Sequence, residues 1–464
     1  MWCRTSAAYP QRLRSWHRLR VAPHGARSAG GRRLQWLRLS EWERHPVACA
    51  LRDGGPGRHR QRRRADELRL ALHPRGCHAR GGALPRPRRE GTRARRDRLM
   101  ATRERVLVAM SGGVDSSVAA ALLVRQGYDV IGVTMKLFHD GGDIPDRPCC
   151  SLDSVNDARR VAEGLGIPHY VLNLQDQFGH DVLQQFVDEY AAGRTPIPCV
   201  RCNTFTKFRD LVVKADQIDA RWVATGHYAR IVDGQLLRGR DADKDQTYFL
   251  WGIDRGVLSR LMMPVGSLTK AETRAVAREL GLLTAEKPES QEICFVPDGD
   301  YVKVLERELP ADAPALLPGP IMKSDGTVIG EHAGFARYTI GQRRGLPGGG
   351  SEPIFVVALR PETRAVIVGP REELLGRGLI ADAVNWLVGP APRLGDAVQV
   401  RIRHRATPVP GTIVRLDGGE IEVVLEEPVY AISPGQSVVF YADDVTLGGG
   451  VIARSKRALP VRAA

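Results

Sequence analysis

Apolar and polar positions divide this 464-residue chain into regimes of different period. From residue 105 to about 290, short β-branched apolar runs alternate with segments whose apolar positions recur every three to four residues. Val106–Met110, Val130–Lys136, His169–Asn173 and Trp222–Thr225 predict strands, while 116–126, 153–164, 178–191, 203–216 and 269–280 predict amphipathic helices. Such alternation predicts an α/β fold with a parallel, doubly wound sheet. Its ligand is expected at the C-terminal ends of the strands, where Met110, Met135 and Gly226 fall.

Around residue 295 the elements become shorter and are punctuated by Pro and Gly, as in Tyr338-Thr-Ile-Gly-Gln-Arg-Arg-Gly-Leu346 and Pro347-Gly-Gly-Gly-Ser351. Ile354–Leu359 and Ala365–Gly369 predict a β pair around Pro361-Glu362. Beyond about residue 378, the runs 397–403, 411–416, 421–425 and 437–441 alternate apolar with polar residues between turns, which predicts a small antiparallel β-barrel. The expected domains are therefore a nucleotide-type domain at 100–294, a small β-rich central domain at 295–375 and a C-terminal barrel at 376–464.

Residues 1–99 show no sustained period. They hold 26 Arg, no Lys and 7 acidic residues, against 42 basic and 46 acidic residues in the remainder, so the net charge of +15 belongs to this leader alone. A nucleic-acid-binding arm, a mitochondrial-type presequence and a mis-assigned start are the competing readings. The absence of Lys, and Met100 standing just before Ala-Thr-Arg-Glu-Arg-Val-Leu-Val, favour the last, with a disordered leader expected. Neither a secretory apolar core nor a membrane-length stretch occurs, so a cytoplasmic protein with no membrane partner is expected.

The most informative stretch is Ala109-Met-Ser-Gly-Gly-Val-Asp-Ser116, which joins an apolar strand to a helix. A strand turning through two glycines into a helix presents backbone N–H groups and the positive end of a helix dipole, which suits phosphate. Gly112 and Gly113 let the main chain approach phosphate oxygens, and Ser111, Ser116 and Ser117 add hydroxyls. Asp115 is unusual in an anion loop unless it holds Mg²⁺ against the phosphates or anchors the loop's own N–H groups. No GxxxxGK[ST] run is present, which excludes a Walker-type cradle. SGGVDS resembles the pyrophosphate loop of the ATP-pyrophosphatases, which split ATP between its α and β phosphates.

Five cysteines follow Met100: Cys149, Cys150, Cys199, Cys202 and Cys294. Pro198-Cys-Val-Arg-Cys202 stands just before a predicted helix, where the dipole and Arg201 favour thiolate. Cys294 lies where the nucleotide domain should end. A chain that activates a substrate with ATP and brings cysteines to it reads as a sulfur-transfer enzyme. Other readings are half of a zinc site with Cys149 and Cys150, or an iron–sulfur cluster on Cys199, Cys202 and Cys294.

Six ordered motifs carry a closer resemblance. SGGVDSSV, Gly193-Arg-Thr-Pro-Ile-Pro-Cys-Val-Arg-Cys-Asn203, Ala224-Thr-Gly-His-Tyr-Ala-Arg230, Lys244-Asp-Gln-Thr-Tyr-Phe-Leu250, Ile293-Cys-Phe-Val296 and Ser433-Pro-Gly-Gln436 together resemble the bacterial tRNA-specific 2-thiouridylases, the MnmA family, over about residues 103–445. The resemblance implies an adenine-nucleotide-α-hydrolase-like first domain. It implies that Ala109, Met110, Ser111, Gly112, Gly113, Val114, Asp115 and Ser116, with Met135 and Gly226, bind ATP. Cys294 would carry a persulfide, and Cys202 would be the nucleophile that can pair with it. His227, Lys244, Asp245, Gln246, Arg403, His404 and Gln436 fall where the family touches tRNA.

The implied reaction is ATP-dependent thiolation of the wobble uridine, U34, in the tRNA anticodon loop, with a protein persulfide as sulfur donor or relay. Many relatives have Asn-Pro-Asp where this chain has Ile197-Pro198-Cys199. A small-molecule ligase or amidotransferase with the same ATP loop is the alternative, although such an enzyme has no need of Cys294. Taken singly, His227 also suits a strand-end histidine, Lys244-Asp-Gln a solvated turn, and Arg401, Arg403 and Arg405 a charged strand face.

Overall fold

The computed structural model describes residues 103–137, 152–289, 293–296, 299–347 and 352–457. The leader and Cys149 and Cys150 lie outside the described residues. So do the zinc reading built on those two cysteines and the expectation of a disordered leader.

Strands β1 (Arg105–Ala109), β2 (Asp129–Lys136), β3 (His169–Asn173), β4 (Trp222–Ala224) and β7 (Leu261–Met262) form a parallel sheet in the order β3-β2-β1-β4-β7. Val106, Leu107 and Val108 of the central strand are fully buried, as a parallel strand covered on both faces requires. The chain steps outward from β1 to β3 and then returns to β4 on the other side of β1. The connections after β1 and β4 therefore diverge and open a crevice at their C-terminal ends. Helix α1 (Val114–Arg125) follows β1 and buries Ala119, Ala120 and Ala121, small side chains that permit close helix–sheet approach.

Two predicted helices are longer than their apolar period indicates, and both contain π-helical turns. One runs over 175–191 with Gly179–Gln184 π-helical. The other runs over 198–217, α-helical at Pro198–Arg201 and Asp210–Gln217 and π-helical at Cys202–Arg209. The CxxC pair is thus inside this helix, not before it. Pro198 stands at the first helical position, where its missing N–H costs nothing.

A hairpin unpredicted from the apolar pattern, β5 (Ala229–Val232) and β6 (Gln235–Arg238), turns at Asp233-Gly234, both with positive φ (49° and 73°). It leaves the parallel sheet and pairs Leu237 with Val445 of the barrel. The barrel is closed: β12 (Leu375–Trp386), β15 (Glu420–Tyr430), β14 (Val409–Asp417), β13 (Ala397–Arg401), β16 (Ser437–Ala442) and β17 (Val445–Arg457) follow in order, and β17 returns to β12. Leu379, Val400, Ile413, Val423, Phe440 and Ile452 fill it. Between the two lies a four-stranded sheet, β10 (Phe355–Arg360), β11 (Ala365–Gly369), β8 (Gly319–Lys323) and β9 (Val328–His332). Among the described residues no helix is long and apolar enough to cross a membrane.

Residues 245–251 form the seam between the parallel sheet and the barrel. Asp245, only 3% exposed, pairs with Arg401 Nη1 at 2.9 Å and accepts from Thr247 N and Oγ1. Tyr248 is fully buried and donates to the carbonyls of Ser437 and Ile402. The Asp245 carboxylate, placed by the sequence motifs among residues at tRNA, is here enclosed in the seam and engaged by Arg401 and Thr247. Asp245→Ala leaves the Arg401 guanidinium buried without a counter-charge, at an expected cost of about 3–5 kcal/mol. A urea midpoint equal to that of the unmodified protein would show that the pair is dispensable.

Candidate active site at the strand ends

The turn after β1 has the form that the sequence predicts, but its side chains are used differently. Gly112 has φ +71°, and a Cβ there would lie 2.2 Å from the Ser154 carbonyl oxygen, so only glycine fits. Ser116 Oγ accepts from Ser111 N at 3.1 Å, while Ser116 and Ser117 both donate to the Gly113 carbonyl. These two hydroxyls close the loop on itself. The start of α1 has no side-chain cap, which leaves its first N–H groups for an anion. Ala109, Met110 and Val114 are buried core residues, and Met110 N donates to Val133 O at 2.7 Å.

Met135 is half-buried at the end of β2, against the core below the crevice. Gly226 sits just past β4, where a Cβ would come within 2.6 Å of Ser116 N. Glycine at 226 thus has a packing cause of its own, the close approach of the post-β4 turn to the 115–116 peptide.

Two lysines absent from the sequence-based site flank the loop. Lys270 is the first residue of a helix, Lys270–Glu279, that Thr269 and Glu272 close with a reciprocal capping box. A cation there opposes the helix dipole. It is held nonetheless by Asp115 (2.8 and 2.9 Å) and by Glu289 (3.0 Å), with Tyr228 OH also 2.8 Å from Asp115 Oδ1. Lys244 bonds the other oxygen of Glu289 at 2.7 Å. Burial works against the Glu289 carboxylate, but hydrogen bonds from Lys244 and Lys270 keep its pKa below the ordinary range. Lys287 donates to Asp157 (2.7 Å) and to the Gly112 carbonyl (3.0 Å). The signal for Lys270 was its cation at a helix start, against local preference.

Both oxygens of Asp115 contact Lys270, so it neither anchors the loop's N–H groups nor stands open as a metal ligand. Among the described residues no group of three His, Cys, Asp or Glu side chains is placed to hold a metal. By the same geometry, Cys199, Cys202 and Cys294 are not gathered as ligands of an iron–sulfur cluster. Lys270 and Lys287 bring positive charge to the loop.

Cys202 is buried within the main hydrophobic cluster, and the half-buried Cys294 packs against that same cluster. Phe295 fixes this arrangement: 2% exposed, it meets Phe186 edge-on at 4.9 Å and Phe178 at 5.8 Å. Cys199 is half-buried one turn earlier in the helix and receives more of the dipole than Cys202 does. Arg201, expected beside the thiolate, instead donates to the Asp181 carbonyl at 2.7 Å and lies over the Phe205 ring.

His227 ties β4 to the cysteine helix. Its Nδ1 is 2.8 Å from Thr225 Oγ1 and its ring lies 5.8 Å from that of Phe208. Burial first, then the charge of Lys207, lowers its pKa to about 3, so it is neutral at physiological pH. Gln246 is engaged with the main chain of Tyr228, through its side chain and its own N–H. The His404 ring packs on Phe249 at 4.4 Å, and Arg403 donates to the Ala431 carbonyl at 2.7 Å. Gln436 Nε2 donates to Thr195 O at 2.9 Å, and Thr195 N donates to Pro434 O. Much of the set expected at tRNA therefore builds the seams between the sheets.

Sequence comparison now decides the family. A relative from Geobacter metallireducens described as tRNA-specific 2-thiouridylase MnmA is 50% identical over 360 residues, covering 75% of this chain and 97% of that protein. Relatives of the same description from Rhodospirillum rubrum and Symbiobacterium thermophilum are 48% and 47% identical, covering 76% and 80% of this chain and 97% and 100% of theirs. The chain belongs to the tRNA-specific 2-thiouridylase family. Family profiles agree along its length: a tRNA methyl transferase HUP domain at 104–298, a tRNA methyl transferase PRC-barrel domain at 303–370 and an aminomethyltransferase β-barrel domain at 376–452. Within the family's frame, the positions that sequence reasoning missed are Lys270, Lys287, Glu289 and Tyr228, all on segments outside the glycine loop.

Proposed function

We propose that this protein is an ATP-dependent tRNA uridine 2-sulfurtransferase that thiolates U34. The observation that carries this reading is that Cys202 lies in, and Cys294 packs against, one hydrophobic cluster that also takes in residues of the parallel sheet whose glycine loop opens α1. A small-molecule ligase with the same loop has no use for that pair.

ATP lies with its phosphates at the uncapped start of α1, between Lys270 and Lys287. The uridine C2 oxygen attacks the α-phosphorus, the bond to the β-phosphate breaks and pyrophosphate leaves toward the lysines. Adenylation makes C2 an electrophile. The terminal sulfur of a Cys294 persulfide then attacks C2 and AMP departs with the former C2 oxygen. Cys202 thiolate attacks the Cys294 sulfur, the persulfide S–S bond breaks, and the transferred sulfur stays on the base. A Cys202–Cys294 disulfide remains, to be reduced before the next turnover; a protein persulfide reloads Cys294. The uridine leaves its anticodon stack to reach the site.

An unmodified tRNA transcript incubated with the protein, ATP, a persulfide-carrying donor protein and a thiol reductant, then digested to nucleosides, is expected to yield 2-thiouridine by mass spectrometry. No product should form without ATP. Failure with ATP, the persulfide donor, reductant and transcripts of every U34 tRNA would overturn the assignment.

A further inference from the structure

The turn 338–346 has no part in the chemistry above, yet it is among the most constrained segments of the central sheet. Tyr338 OH donates to Gly345 O at 3.1 Å, and Gln342 accepts from Thr339 N while its amide donates to Arg344 O at 2.9 Å. Gly341 N and Val356 O, and Val356 N and Gln342 O, pin it to β10. Gly341 and Gly345 supply the positive φ values, +89° and +77°, that the reversal needs. All this fixes the backbone that carries Arg343 and Arg344. Both side chains are exposed, with no ion-pair partner among the described residues.

The turn also abuts the barrel. A Cβ on Gly341 would lie 3.1 Å from Ala431 Cβ and 3.9 Å from Arg403 Nη2. Arg403 is braced on Ala431 O, and Arg405, two residues on, is exposed. The loop that braces Arg403 continues to Pro434 and Gln436, which hold Thr195 four residues before Cys199. Basic side chains from two sheets thus share one edge with the segment that leads into the cysteine helix. From Met100 on the chain has slightly more acidic than basic residues, so binding of a polyanion depends on such a local cluster.

We propose that the 338–346 turn is an RNA-backbone docking element, in which Arg343 and Arg344 take phosphodiester groups beside Arg403 and Arg405. This rests on the tRNA reading above and assigns it residues that the sequence motifs left out. Guanidinium forks match phosphate oxygens, and a turn already fixed by its own hydrogen bonds loses little freedom on binding.

The test is fluorescence anisotropy of labelled tRNA against KCl with the unmodified protein, Arg343→Gln/Arg344→Gln and Arg343→Glu/Arg344→Glu. The turn's hydrogen bonds use no arginine side chain, so the Gln pair removes charge without disturbing it. Loss of two phosphate contacts should reduce the slope of log affinity against log salt by about 1.5–2 and weaken binding about tenfold or more at low salt. The reversed pair should be weaker still. Turnover at saturating tRNA should keep its kcat while KM for tRNA rises. Equal slopes and affinities in all three proteins overturn the docking element while leaving the tRNA enzyme intact. Absence of any tRNA binding by the unmodified protein overturns the tRNA reading itself.

Discussion

Cys294→Ser protein is expected to form no 2-thiouridine while still releasing pyrophosphate in the presence of tRNA and ATP. In the proposed mechanism adenylation uses the α1 start and its lysines and needs no thiol, whereas sulfur transfer needs a sulfur on residue 294, which serine cannot carry. Cys202→Ser should likewise lose thiolation with protein persulfide as donor, yet it should accumulate persulfide on Cys294, visible as a 32 Da adduct of about one sulfur per chain. Cys199→Ser separates this pair from its neighbour: Cys199 is half-buried outside the proposed relay, and its loss should leave thiolation near the unmodified rate. Full thiolation by Cys294→Ser would remove sulfur transfer from this residue.

Lys270→Ala should reduce the rate of tRNA-dependent pyrophosphate release by about 10²–10³-fold, the effect of removing one preorganised charge from a site of developing negative charge. Asp115→Ala should produce a loss of similar order by a different route, because Lys270 would then be held by Glu289 alone and drawn from the loop. In the proposed mechanism Asp115 is a positioning residue and Lys270 a phosphate contact. The pair is distinguished by KM: Lys270→Ala should raise KM for ATP and lower kcat together, while Asp115→Ala should act mostly on kcat. Thermal midpoints close to that of the unmodified protein are expected in both cases, since both residues lie at the open crevice. Unchanged pyrophosphate release in Lys270→Ala would place the leaving group elsewhere.

The parallel sheet was legible because β1 and its neighbours are buried on both faces, and burial on both faces forces a continuous apolar run. The glycine loop was legible because the strand-to-helix turn needs a positive φ at Gly112, where a Cβ would also strike the Ser154 carbonyl. Hairpin β5–β6 carried an open signal in Asp233-Gly234, but its flanking runs are short and its partner strand lies more than two hundred residues away. Strand β17 was hidden by Gly448-Gly-Gly450, which reads as a turn; a Cβ at 449 would meet the Trp251 ring at 2.6 Å, so the glycine is a seat for an indole. The structural pairing of Asp245 was hidden for a related reason. An acidic residue between Lys and Gln looks solvated until the sequence-distant Arg401 is brought against it, and local pattern contains no trace of that encounter.

That seam separates the unit of chemistry from the unit of folding. A fragment ending at residue 294 would keep the whole glycine loop and both cysteines of the proposed relay. It would also expose Tyr248 and Trp251 to water, leave Asp245 facing solvent without its arginine, and deprive Thr195 of the loop that holds it. The hairpin β5–β6 would lose its strand neighbour as well. Dissection at the borders of the sequence motifs would therefore yield a piece with the right residues and an adhesive flank, prone to self-association before it could be assayed.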